Sequence, residues 1–137
     1  MTYQALLAGA KGIIYYTYRD QVWYLPAHPD LWKGMQSLVP EMKEISPLVL
    51  NGDLNKIYPE GEEDIFAGIW RYKNQNIAVV INTSEDSTRK VSIGLPAESA
   101  GEAESIFSGR PSGMVVKDGK LSGLIEPLDV HVYRLNS

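Results

Sequence analysis

A chain of 137 residues holds one domain with a proper core, or one small domain and a piece of another, but not two ordinary domains. Its 44% hydrophobic and 22% charged residues, with three Trp and eight Tyr, exclude a disordered tail or a membrane segment and predict a packed globular fold. Thirteen Lys and Arg against seventeen Asp and Glu give a formal charge of -4, and no basic cluster follows a phosphate backbone, so nucleic acid is not an expected partner.

The first 50 residues read as helix, strand, loop and helix. Tyr3, Leu6, Leu7 and Ala10 have helical spacing in an Ala-rich run, and Gly12 is placed to end it as a left-handed cap. Residues 13–18 (IIYYTY) are six consecutive β-branched or aromatic residues, which predicts a strand buried on both faces with Tyr15 and Tyr16 in the core. Residues 19–30 carry two prolines and polar punctuation and form a loop that holds Trp23 and Tyr24. Asp30 has the chemistry of an N-cap for an amphipathic helix whose stripe is Leu31, Met35, Leu38, Val39, Met42 and Ile45. Pro40 predicts a kink or restart in that helix, and Pro47 its end.

After Asn51-Gly52-Asp53 the hydrophobic period drops to two. Strands are predicted at residues 54–58, 65–72, 77–82, 89–95, 104–107, 113–117, 120–125 and 129–135. In the second of them Phe66, Gly68, Trp70 and Tyr72 share one face and Ile65, Ala67, Ile69 and Arg71 the other. Asn74-Gln75-Asn76 marks a turn, and Asp118-Gly119 favours a type I′ hairpin. The predicted class is α+β: a helix-strand-helix segment over residues 1–50, then an antiparallel β-sandwich of about eight strands over residues 51–137.

Little in this chain signals chemistry. The absence of Cys removes disulfides, thiolate nucleophiles and every Cys-containing zinc site, while leaving the compartment open. His28 and His131 form no paired ligand motif, so no metal and no cofactor are expected, and His131 reads as structural. The acidic run Glu60-Gly61-Glu62-Glu63-Asp64 lacks the alternating ligand spacing of a calcium loop and reads as solvated. No nucleophile elbow or phosphate-binding loop occurs, and the chain shows neither a signal peptide nor a membrane span. Asn82-Thr83-Ser84 fits a glycosylation acceptor, a pattern frequent by chance. The aromatics Tyr15, Tyr16, Tyr18, Trp23 and Tyr24 are the more specific feature, because ring faces suit the C–H faces of sugars. Trp70 and Tyr72 are a second possible platform, with a place in the core as the plainer reading.

The step TYQALLAGAKGIIYYTY resembles the last helix-to-strand passage of (β/α)8-barrel glycoside hydrolases. Residues 31–48, followed into EISPLVL, are similar to the closing barrel helix, and the β-rich remainder ending in EPLDVHVYRL resembles the C-terminal sandwich of those enzymes. The resemblance implies a C-terminal, catalytically incomplete portion: the catalytic carboxylates come from earlier barrel strands, so no catalytic residue is expected here. It further implies that Tyr18, Arg19, Asp20 and Trp23, at the mouth of the last strand, line part of a carbohydrate cleft. Without barrel neighbours residues 13–18 would expose apolar faces, which predicts that they add to the sandwich, rearrange, or pair in a homo-oligomer through residues 1–50. The alternative is an independent carbohydrate-binding module that uses Trp70, Tyr72 or Trp23.

Overall fold

The structure, a computed structural model, describes residues 1–59, 61–99 and 101–136. In chain order it contains α1 (Thr2–Leu7) and α2 (Pro29–Asn51), then β1 (Asp53–Ile57), β2 (Ile65–Tyr72), β3 (Gln75–Asn82) and β4 (Arg89–Gly94). There follow β5 (Ala103–Ser105), β6 (Val115–Lys117), β7 (Lys120–Ile125) and β8 (Val130–Leu135). The class is α+β, and all strand pairs are antiparallel in two sheets, β1-β2-β3-β8-β5 and β4-β7-β6.

The five-stranded sheet is covered on both faces, which makes three layers. Against the smaller sheet it packs Ile65, Ala67, Ile69, Ala78, Val80, Tyr133 and Leu135, which meet Val91, Ile93, Leu121 and Ile125. On its other face Trp70, Ile77, Val79, Ile81 and Val132 meet Tyr3, Leu6 and Leu7 of α1 and Ile45, Leu48 and Val49 of α2. The unbroken apolar run of β3 is what this requires, since a strand with one wet face would alternate. β2 alternates as its sequence predicts, but both of its faces are inside, and Trp70 is only 2% exposed.

Close packing joins the layers at two glycines. A Cβ on Gly52 would lie 2.5 Å from the Leu48 carbonyl oxygen and 2.7 Å from that of Arg71, both backbone atoms, so the passage from α2 into β1 has no room for a side chain. Gly68 lets Leu7 of α1 sit on the sheet, where an added Cβ would meet Leu7 Cδ2 at 2.8 Å. Tight turns close the hairpins. Asp118 and Gly119 both have positive φ, 51° and 70°, as a type I′ turn demands. The β2–β3 turn is Lys73-Asn74, one residue earlier than Asn74-Gln75-Asn76, because Tyr72 pairs directly with Gln75.

The N-terminal segment departs from its sequence reading. Residues 13–18 form no strand; Ile14 and Tyr16 are 97% and 87% exposed, so they and the half-exposed Tyr15 are not core. The segment runs along the helices, with Ile13 against the helix–sheet core and the Tyr15 and Thr2 hydroxyls hydrogen-bonded, and it adds to neither sheet. Six β-formers do not make a strand without an open ladder beside them. The first helix ends at Leu7 rather than near Lys11, and the left-handed glycine beyond it is Gly9, φ 108°, not Gly12.

Pro29 occupies the first turn of α2 and His28 its N-cap, so Asp30 lies inside the helix, where its charge complements the N-terminal dipole without capping. Neither Pro40 nor Pro47 ends α2, which continues to Asn51. Both prolines are on the exposed side, where carbonyls deprived of an N–H can be hydrated, while Ile45, Leu48 and Val49 hold the opposite side on the sheet.

Inside the sandwich His131 is 2% exposed, with Nδ1 2.9 Å from Tyr133 Oη, which in turn accepts the Met114 N–H at 3.1 Å. Burial pushes its pKa below the ordinary value of 6.5, against a smaller upward pull from Asp129. The neutral ring is therefore the form that the fold favours. Stability is complete above about pH 6.5, where the unfolded chain is also neutral, and declines as pH falls towards the depressed folded pKa. Urea midpoints from pH 8 down to pH 5 should fall faster for the parent chain than for His131→Gln; parallel curves would refute this assignment.

Candidate functional site

A hairpin-like turn built on Asp20 organises the aromatic surface. Asp20 N–H donates to the Trp23 carbonyl, and its Oδ1 accepts the N–H groups of Val22 and Trp23, each at 2.9 Å. Arg19 and Tyr24 bridge, and Leu25 N–H closes onto the Tyr18 carbonyl at 2.9 Å. Asp20 is thus committed through one oxygen to shaping the turn.

The rings order one another. Tyr18 meets Tyr24 edge-on at 5.9 Å and Trp32 at 5.7 Å, and the Arg19 guanidinium lies 5.8 Å from the Tyr24 ring centre. Trp23 stacks on His28 at 4.1 Å, with planes 8° apart. Desolvation by these neighbours, followed by the Tyr24 hydroxyl, raises the Tyr18 pKa, so its hydroxyl is a neutral donor and acceptor.

Between residues 15–18, Trp23 and the first turns of α2 lies a groove of about 530 Å³, within the range that holds small ligands. Tyr15, Tyr16, Tyr18, Trp23, Trp32 and Asp30 are among its walls. Of the four residues singled out by sequence, Tyr18 and Trp23 come together here, while Arg19 and Asp20 line an adjoining depression with Trp23 and Tyr24. Trp32 was the missing member. It stands in the first turn of α2, and its nearness in sequence to the aromatic loop that holds Trp23 and Tyr24 is the signal that could have found it.

No group of three or more His, Asp or Glu side chains is gathered as a metal set among the described residues. Trp70 shows no ring to solvent. Tyr72 is half-buried against the helix–sheet core, with the Lys73 ammonium 5.2 Å from its ring centre. A larger concavity of about 800 Å³ is lined by Tyr3, Glu41 and Arg110, but these polar groups satisfy one another. Glu41 accepts from Tyr3 Oη at 2.7 Å and from Arg110 Nε and Nη2 at about 3.0 Å, which pins α1 and α2 to the loop after β5. Asn82 is fully buried, its Nδ2 donating to the carbonyls of Ser87, Ile125 and Glu126, so it is a loop anchor rather than an exposed acceptor for sugar. In the acidic run, Glu62 and Asp64 pair with Arg89, and Glu60 lies outside the described residues.

No helix is long and apolar enough to cross a membrane among the described residues. No family model matches the sequence, and no curated protein matches it. The fold is found in solved α-amylase structures. An Anoxybacillus α-amylase, described as a new glycosyl hydrolase subclass, is 20% identical with a TM-score of 0.61, over 78% of this chain and 22% of that one. The Geobacillus thermoleovorans α-amylase in complex with acarbose is 16% identical, with a TM-score of 0.63, over 80% of this chain and 23% of that one. AmyP, as an E221Q variant in complex with maltotriose, is 16% identical with a TM-score of 0.60, over 80% and 21%. The chain therefore spans about a fifth of the length of the structures it matches.

Proposed function

We propose that this chain is the C-terminal, catalytically incomplete portion of a glycoside hydrolase. In this reading residues 1–50 are the end of a (β/α)8 barrel, and residues 51–137 are the sandwich domain that supports it. The observation that carries the reading is the asymmetry of the fold match, four fifths of this chain against about one fifth of each α-amylase. The aromatic groove supplies the chemistry. Tyr18 and Trp23, with Arg19 and Asp20 beside them, form one wall of a carbohydrate cleft in which rings pack on sugar C–H faces. Trp32 extends that wall along α2.

A second reading is an independent carbohydrate-binding module. The core shared by α1, α2 and the five-stranded sheet favours it, because a chain that covers its own sheet can stand alone. In that case the platform is Trp23 with Trp32, since Trp70 is inside.

Maltotriose should shift the tryptophan emission of the wild-type chain saturably, and Trp23→Ala should weaken that binding about ten-fold, ~1.4 kcal/mol. A chromogenic maltoside should give a flat progress curve. An emission unmoved by maltotriose would remove the cleft role for this ligand, and turnover abolished by Asp20→Asn would make the chain an enzyme in its own right.

The same surface carries a proposal for assembly. Ile14, Tyr16 and Val22 are almost fully exposed in a stretch of about ten residues, and a homo-oligomer through residues 1–50 would bury them. Light scattering should then show a mass that rises with concentration and falls to the monomer in Ile14→Lys with unchanged circular dichroism. A parent chain that stays monomeric throughout would refute the homo-oligomer.

A further inference from the structure

The aromatic groove combines ring faces with a carboxylate. Tyr15, Tyr16, Tyr18, Trp23 and Trp32 are five of its walls, Asp30 is the only Asp or Glu among the described residues that line it, and no Lys, Arg or His side chain is among them. The rings do not form a flat floor. Tyr18 and Trp32 meet with planes 70° apart and centres 5.7 Å apart, so they make a corner. His28, which is not one of the walls, stacks on Trp23 and fixes the plane of the indole.

Asp30 and Asp20 use their charges differently. Asp20 gives Oδ1 to the N–H groups of Val22 and Trp23 and shares its depression with Arg19. Asp30 is exposed in the first turn of α2, and no hydrogen bond or ion pair engages its carboxylate among the described residues. The positive end of the α2 dipole, about half a charge, offsets part of this charge and leaves the groove negative. Neighbouring cations do not reverse the sign. Arg19 lies over Tyr24 beside Asp20, and Lys33 is exposed on α2 and not among the walls. The α-amino group on Met1, a lining residue that is 94% exposed, stands in solvent and is screened there.

From this combination we infer that the groove binds a small organic ammonium ion, its charge held by the faces of Tyr18, Trp23 and Trp32 and by the Asp30 carboxylate. Aromatic faces are the negative part of the ring quadrupole and attract a cation within about 6 Å. An anion would meet those faces and the carboxylate with no cationic side chain to pair it. A bare metal ion would find one carboxylate where it needs several oxygens. An alkylammonium spreads its charge over C–H groups, which suits ring faces and a single counter-charge together. A groove of about 530 Å³ admits that chemistry from either of two sources, a quaternary ammonium or the ammonium of an amino sugar. The inference rests on the proposed reading of the groove as a ligand site, and goes beyond the neutral sugar of that reading.

The test is a titration of the full chain with choline and, separately, with its uncharged isostere, the alcohol that has carbon in place of nitrogen. Tryptophan emission and saturation transfer from the protein to the ligand methyl protons are the two readouts. Choline should bind saturably and about ten-fold more tightly than the alcohol. Asp30→Asn should weaken choline about ten-fold, with unchanged circular dichroism, and so close the gap to the alcohol. Trp32→Leu is the second variant and should also weaken choline. Glucosamine against glucose identifies the source: a preference for glucosamine assigns the charge to an amino sugar, and a preference confined to choline assigns it to a quaternary ammonium. Equal affinity for choline and the alcohol together with no preference for glucosamine, or binding indifferent to Asp30→Asn, would overturn the inference. A chain that takes maltotriose but neither ammonium ion refutes this inference alone, and one that takes choline but not maltotriose refutes only the glucan role.

Discussion

The five-stranded sheet must be dry on both faces, and most of the molecule follows from that constraint. β3 carries an apolar run with no polar face to offer water, and β2 places Trp70 on the side away from the second sheet. A two-layer sandwich would leave Trp70, Ile77, Val79, Ile81 and Val132 in solvent. Each such side chain contributes about 1.5–3 kcal/mol when buried, more than a small domain can forgo several times over. α1 and α2 supply the missing layer. Gly52, Gly68 and the Glu41–Arg110 pair are where the layers are fastened, and removing either member of that pair would leave the other's charge in a poorly solvated place.

What the constraint does not absorb is the surface of residues 13–24. The helices spend their apolar faces on the sheet, so the IIYYTY segment has no ladder to join and lies outside with its rings exposed. Exposed aromatic surface held in place by a hydrogen-bonded turn and by ring-to-ring contacts is organised for contact with something else. The proposed carbohydrate cleft and the proposed oligomer both use it. In the proposed reading such a surface is one wall without the walls that faced it.

The strands were the most legible part of the sequence. Residues 65–72 and 120–125 coincide with β2 and β7, because alternation and turn chemistry act locally and agree with the tertiary fold. Trp70 was legible as core for the same reason. Non-local information was not legible. Whether IIYYTY finds a neighbouring strand depends on the whole topology, and whether Pro40 and Pro47 break α2 depends on which side of the helix faces water. The groove was half legible. Tyr18 and Trp23 stood out by type and by their loop, whereas Trp32 and the turn-forming duty of Asp20 needed the chain to be folded.

The most direct test of this account is the equilibrium unfolding of residues 51–137 alone beside the full chain. If α1 and α2 are the second cover of the sheet, the full chain unfolds in urea as one cooperative transition, and the fragment lacks that transition and binds a hydrophobic dye. A fragment that unfolds cooperatively at the same midpoint as the full chain would contradict the account, because the sheet would then need no cover from the helices.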